Sequence, residues 1–183
     1  MSCSINETGC LEKTKSNINS TINTTKILQD FQLNTPLYET LKITLKKSKN
    51  VTSFPLNLTD SLLSNFCRIT AEEQIVIDYR IFKYIAKTNT YDMLIDHIIN
   101  TIDYALTLKP VFTIHIYAKL LTIAAADNHV SFVYKLTDIL NKKYPEKLNK
   151  CYIYEAPYIF QQILLMLSMF VDKRTIAKIN VIE

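Results

Sequence analysis

YPEKLNKCYIYEAPYIFQQILLMLSMFVDKRTIAKINVI, residues 144–182, is the stretch whose reading decides the fold. Tyr144 precedes Pro145 and is pushed out of the α region, so a helix arriving from upstream ends there. Cys151–Tyr154 (CYIY) is short, β-branched and aromatic, which predicts a strand stopped by Pro157. Ile159–Phe170 is apolar throughout and predicts a helix. Asp172 and Thr175 are placed to cap one further turn before a strand over Ile179–Ile182.

Working upstream, Phe132, Val133, Leu136, Ile139 and Leu140 recur at helical spacing within residues 129–143. Val111–Tyr117 (VFTIHIY) follows Lys109-Pro110 and reads as a strand. Before it, Tyr91, Leu94, Ile98, Ile102 and Ala105 align on one helical face. Thr70 with Glu73 reads as a capping box for an earlier helix carrying Ile75, Tyr79, Phe82 and Ala86. The polar break Lys87–Thr90 joins these two helices into a hairpin. A short helix is expected over Ser61–Cys67. Leu33, Leu37, Leu41 and Leu45 suggest another between Leu28 and Leu45, with Lys46, Lys47 and Lys49 suiting its C-terminus. The order ααβαβαβ predicts an α/β fold: an N-terminal helical hairpin, then βαβαβ units of a small, mostly parallel sheet with right-handed crossovers. The expected organisation is a disordered polar leader over 1–26, a helical lead-in over 27–108 and a shortened core over 109–183.

Apolar residues make up 48% of the 183 and charged residues 21%, ordinary for one globular domain, and the net charge of +4 selects no partner. The single glycine, Gly9, excludes a phosphate-binding loop, a dinucleotide fingerprint and a nucleophile elbow. Cys3, Cys10, Cys67 and Cys151 show no C-x-x-C spacing, which argues against a zinc site and for free thiols in a reducing cytosol. His97, His115 and His129 fall on a helix, a strand and a loop, with no metal or catalytic partner set in view. The apolar run Ile163–Val171 is about half of what a membrane span needs.

Residues 144–182 resemble the signature of Sec14-like (CRAL-TRIO) lipid-binding domains. The matching elements are Tyr144-Pro145-Glu146-Lys147, Ala156-Pro157, Phe170-Val171-Asp172, and Thr175 with Lys178-Ile179. Upstream, Ile114–Ile123 sits where the family has its Asp-Leu-Lys-Gly strand, here with Tyr117 and Leu120, and the hairpin at 75–108 is similar to its helical lead-in. The family's strand hairpin between lead-in and sheet has no counterpart in this reading, because Pro110 follows the helix directly.

The resemblance implies non-enzymatic lipid binding, transfer or sensing, without cofactor or metal. Burying an acyl chain is worth about 0.8 kcal/mol per methylene, enough to hold a lipid out of a membrane. It implies a phosphoinositide headgroup held by Glu146, Lys147, Thr175 and Lys178, and a gate helix touching acyl chains through Ile159, Phe160, Ile163, Leu164, Leu167 and Phe170. Implied partners are a phospholipid, a transient membrane surface and a second copy or partner completing the sheet. The implied location is cytoplasmic and peripheral to membranes, with no nucleic acid. Plainer readings stand beside these. Glu146 and Lys147 can be solvated surface residues, Thr175 a helix cap and Ile159–Phe170 a core helix. Tyr84, Tyr91, Phe112 and Phe132 read as core. The whole chain can also be an interaction protein keeping this fold without a working pocket.

Overall fold

A computed structural model describes residues 25–47, 56–169 and 171–182. The expected disorder over 1–26 falls outside them, except that residues 25 and 26 begin a helix, α1 (25–33). After Asn34 follow α2 (Thr35–Lys47) and α3 (Leu56–Phe66). The predicted leucine stripe is thus split between two helices, and Leu33 points into solvent while Leu41 is buried.

The chain then departs from the expected helix at Thr70. Cys67–Ile69 (β1) and Ile75–Asp78 (β2) pair antiparallel, with Cys67 opposite Ile77 and Ile69 opposite Ile75. The Thr70/Glu73 pair is the turn of this hairpin. Thr70 N–H donates to Gln74 O at 2.9 Å, Glu73 N–H donates to Thr70 O at 3.0 Å, and Glu73 takes φ 61. Ile75-Val76-Ile77 is a β-branched run, whose side chains pack better on a pleated surface than on a helix, and it pairs in parallel with Ile114, His115 and Ile116. The strand hairpin that sequence reading found missing is therefore present, inside the segment expected to be wholly helical.

Helices α4 (Tyr79–Ile85) and α5 (Tyr91–Leu108) follow, joined through Lys87–Thr90 as expected. Next come β3 (Phe112–Tyr117), α6 (Ile123–Asn128), α7 (Val130–Lys143), β4 (Leu148–Tyr154), α8 (Phe160–Leu167), α9 (Lys173–Ala177) and β5 (Ile179–Ile182). The sheet order is β1-β2-β3-β4-β5, and every pair after the first is parallel.

Because side chains alternate along a strand, the register sorts them onto two faces. One face carries Ile75, Ile114, Cys151 and Ile179 in one row, and Ile77, Ile116 and Ile153 in another. Leu94, Ile98 and Ile102 of α5 and Phe132 of α7 belong to the same core cluster. Tyr91, Phe112 and Phe132 are buried as expected, and Tyr84 only half so. The buried Cys67 and Cys151 thiols are free, and burial pushes both up to about 12.

The opposite face carries Val76, His115, Tyr117, Tyr152 and Tyr154, against which Ile27 and Phe31 of α1 pack. A polar clasp closes this face. Asp78 caps α4, its Oδ1 accepting from Arg80 N at 3.0 Å and from Arg80 Nε at 3.0 Å, while Oδ2 accepts from Arg80 NH2 at 2.7 Å. The guanidinium also donates to Phe31 O at 2.7 Å and to Thr35 Oγ1 at 3.2 Å, and lies 4.5 Å from the Tyr117 ring. One buried ion pair thus ties the end of α1 and the start of α2 to the sheet.

His115 lies under α1's side of the sheet, its Nδ1 2.8 Å from the Tyr154 hydroxyl and its ring stacked on Tyr152 and Tyr154. Burial lowers its pKa from 6.5 to about 4. The unfolded chain therefore takes up the proton first, and it binds more protons than the folded chain between those two values. Stability is expected to fall as pH drops from 6.5 toward 4, by up to about 3 kcal/mol. Urea unfolding of wild type and His115→Phe across this window checks it: the variant's profile is expected to be flatter, and parallel profiles would remove His115 as the source.

Candidate functional site

The site is built around the Tyr144–Lys147 turn. The Tyr144 hydroxyl donates to Asp103 Oδ1 at 2.6 Å, and its ring meets Phe112 edge-on at 6.1 Å, which fixes the end of α7 against α5 and β3. Hydrogen bonds from Lys143 and Tyr144 hold the Asp103 carboxyl below its usual range. Lys147 N–H donates to Tyr144 O at 3.1 Å, and Phe112 N–H donates to Lys147 O at 3.0 Å. Within this turn Glu146 has φ 60. A positive φ after proline is what a type II turn demands at its third position, where glycine would be unstrained. The surrounding anchors keep a glutamate there and fix where its carboxylate starts from.

That carboxylate reaches toward α9. Oε1 accepts from Arg174 NH1 at 2.9 Å, and Oε2 lies 3.7 Å from Lys178 Nζ. Lys178 also donates to Leu148 O at 2.6 Å, which seats its ammonium at the start of β4. Asp172 caps α9 as the sequence reading expected, Oδ1 accepting from Thr175 N at 2.9 Å. The Thr175 hydroxyl donates to Asp172 Oδ2 at 2.6 Å, and this bond, with the backbone one, holds the Asp172 carboxyl low. The Thr175 proton is thus used by the cap.

Glu146, Thr175 and Lys178 line one cavity of about 330 Å³ with Arg174 and Asp172. Phe112, Ile114, Leu140, Leu148 and Val171 give it apolar walls, beside Thr137, Asn141 and Tyr144. Lys147 is exposed and does not line it. Arg174 escaped the sequence reading, although its spacing of four from Lys178 on a capped turn was available as a signal. The apolar walls come from three distant segments and carried no such signal.

Helix α8 occupies the expected gate position. Phe160 and Ile163 are buried, and Ile159, Leu164 and Leu167 are half-buried, so this stripe faces the core. Tyr158, Leu165 and Met169 face solvent. Phe170 lies outside the described residues. A second cavity of about 430 Å³ sits at the C-terminal ends of β4 and β5, lined by Leu28, Tyr154, Ala156, Tyr158, Phe160 and Ile182 among others. Among the described residues no helix is long and apolar enough to cross a membrane, and no three His, Cys, Asp or Glu side chains are grouped to hold a metal ion.

Residues 93–183 match the model of the CRAL/TRIO domain family, a span running from α5 through β5. This part of the chain is a CRAL/TRIO domain. The CRAL/TRIO family is one of lipid-binding and lipid-transfer proteins. The crystal structure of Sfh5 resembles this chain with a TM-score of 0.56 at 19% identity, covering 73% of this chain and 50% of that one. The chain spans about half the length of Sfh5, and the likeness concerns the fold. No curated protein matches the chain. In this CRAL/TRIO domain the sheet face that carries Ile114 and the α7–β4 turn form cavity walls, and Arg174 of α9 and Lys178 just after it supply the cations.

Proposed function

We propose that the chain binds an inositol phospholipid without catalysing its turnover, as a carrier or sensor working at membrane surfaces in the cytoplasm. The observation that carries this reading is the convergence of Glu146, Thr175 and Lys178 on one partly apolar cavity of about 330 Å³, within the usual range for ligand sites. In this reading Lys178 faces a headgroup phosphate, Glu146 accepts from inositol hydroxyls, and Lys147 adds positive charge outside the cavity. The stripe Ile159, Phe160, Ile163, Leu164, Leu167 and Phe170 closes over the acyl chains, and residues 109–183 form the lipid-binding core behind the lead-in. A partner or second copy covers the open edge strand β5.

Native mass spectrometry of the purified protein, followed by lipid extraction, tests the reading. Phosphatidylinositol or its phosphates should co-purify or be taken up from vesicles. Lys178→Ala should lower uptake about tenfold or more, the size of one charge-assisted hydrogen bond, with an unchanged circular dichroism spectrum. Uptake unaffected by that substitution would remove Lys178 from the headgroup site.

A second reading has its own support: Phe160 and Leu164 pack in the main core cluster and Ile163 is buried, so the inner face of α8 is already closed. An interaction protein that keeps the fold and has no working pocket would show this closure, and it would stay empty in the same measurement.

A further inference from the structure

We infer that Arg174 makes the site selective for an inositol phospholipid whose ring carries a further phosphate monoester. This rests on the headgroup reading above and adds to it which headgroup is preferred. Arg174 and Lys178 approach opposite oxygens of one carboxylate, that of Glu146. Two cations that bracket one carboxylate bracket a space of the size a single phosphate group fills.

The two cations are not held alike. The Lys178 side chain is 27% exposed and anchored to the Leu148 carbonyl, a fixed charge in the cavity wall. Arg174 is 83% exposed at the rim, and its only ion-pair partner among the described residues is a carboxylate that is itself 65% exposed. Exposed pairs of this kind are weak, so exchanging the carboxylate for a ligand phosphate costs little. A guanidinium then offers its planar fork to two phosphate oxygens at once.

Charge decides which phosphate. The diester that joins glycerol to inositol carries one negative charge, whereas a monoester carries about −1.5 to −2 at neutral pH. Lys178 alone gives the site one cation beside the Glu146 and Asp172 carboxylates, and Arg174 adds the second cation that a monoester calls for. Asp172, the other carboxylate in the cavity wall, keeps its charge, but its oxygens accept from the Thr175 hydroxyl and backbone N–H instead of pairing with either cation. Glu146, released from Arg174, keeps its backbone position through the anchored turn and turns to the ring hydroxyls.

Co-sedimentation with phosphatidylcholine vesicles doped with phosphatidylinositol, phosphatidylinositol monophosphate or charge-matched phosphatidylserine tests this, for wild type, Arg174→Val and Arg174→Lys. Wild type should favour the monophosphate over phosphatidylinositol about tenfold. Arg174→Val should lose that preference while still binding phosphatidylinositol, and Arg174→Lys should restore part of it. An unchanged ratio in Arg174→Val, or no preference in wild type, overturns the role of Arg174 and leaves the headgroup reading standing. Binding of neither inositol lipid overturns both. Equal binding to phosphatidylserine means surface charge alone and overturns the selectivity. Calorimetry with soluble inositol bisphosphate separates the sources: binding as tight as to the vesicle-borne monophosphate assigns the site to a free phosphate compound and overturns the lipid assignment.

Discussion

Asp78→Ala is expected to lower unfolding stability by about 3–5 kcal/mol, because it strands a buried guanidinium. The Asp78 side chain is 0% exposed and that of Arg80 5%. Both carboxylate oxygens are occupied by Arg80, and one of them also caps α4 through the Arg80 backbone N–H. Alanine removes three hydrogen bonds and the counter-charge together, leaving Arg80 with Phe31 O, Thr35 and the Tyr117 and Tyr38 rings. The desolvation cost already incurred by the arginine is then no longer offset. Urea denaturation followed by circular dichroism gives the number. The double variant Asp78→Leu with Arg80→Met should recover most of the loss, since an apolar pair of similar volume carries no buried charge. A loss below about 1 kcal/mol for Asp78→Ala, in the range of exposed pairs, would mean that water reaches the clasp.

Phe31→Ala is expected to cost about 3–5 kcal/mol. Phe31 is fully buried, stacked on Tyr117 at 5.0 Å and tilted against Tyr154 at 5.9 Å. Truncation opens a cavity between α1 and the sheet that the flat tyrosine rings cannot collapse to fill. The Phe31 ring and the Arg80 guanidinium both lie against the Tyr117 ring, so this substitution and Asp78→Ala share a partner. Their effects should not add, and a double-mutant cycle should return an interaction of about 0.5–3 kcal/mol. Strict additivity would show that α1 and the clasp hold the second face of the sheet independently.

These two positions also mark where sequence reading stops. Tyr144 to Ile182 was legible almost element by element. Pro145 ends α7, Pro157 ends the β4 region, Asp172 caps α9 and Ile179–Ile182 is β5. Each of those signals is local and consists of a single residue type that restricts its own backbone. The stretch 67–78 was misread because Thr70 and Glu73 satisfy a capping box and a hairpin turn equally well. What selects the hairpin is the pairing of Ile75, Val76 and Ile77 with Ile114, His115 and Ile116, nearly forty residues away. The helical spacing between Leu28 and Leu45 gave no sign of the break at Asn34 that separates α1 from α2, and the Asp78–Arg80 clasp had no readable signal, since Asp-x-Arg spacing occurs on any surface and becomes a buried pair only once a helix lands on it.

The candidate site divides in the same way. The sequence by itself determined an α/β chain with a mostly parallel sheet, and it placed Glu146, Thr175 and Lys178 in a recognisable family pattern. Only the tertiary structure decided that these three line one cavity, that Lys147 does not, that Arg174 joins them, and that the Thr175 proton is taken by Asp172. The physical reason is that caps, prolines and β-branched runs act on neighbouring backbone and leave their mark in neighbouring residues. A cavity, a buried ion pair and a shared carboxylate depend on where distant segments meet, and that is set by packing and register across the whole sheet.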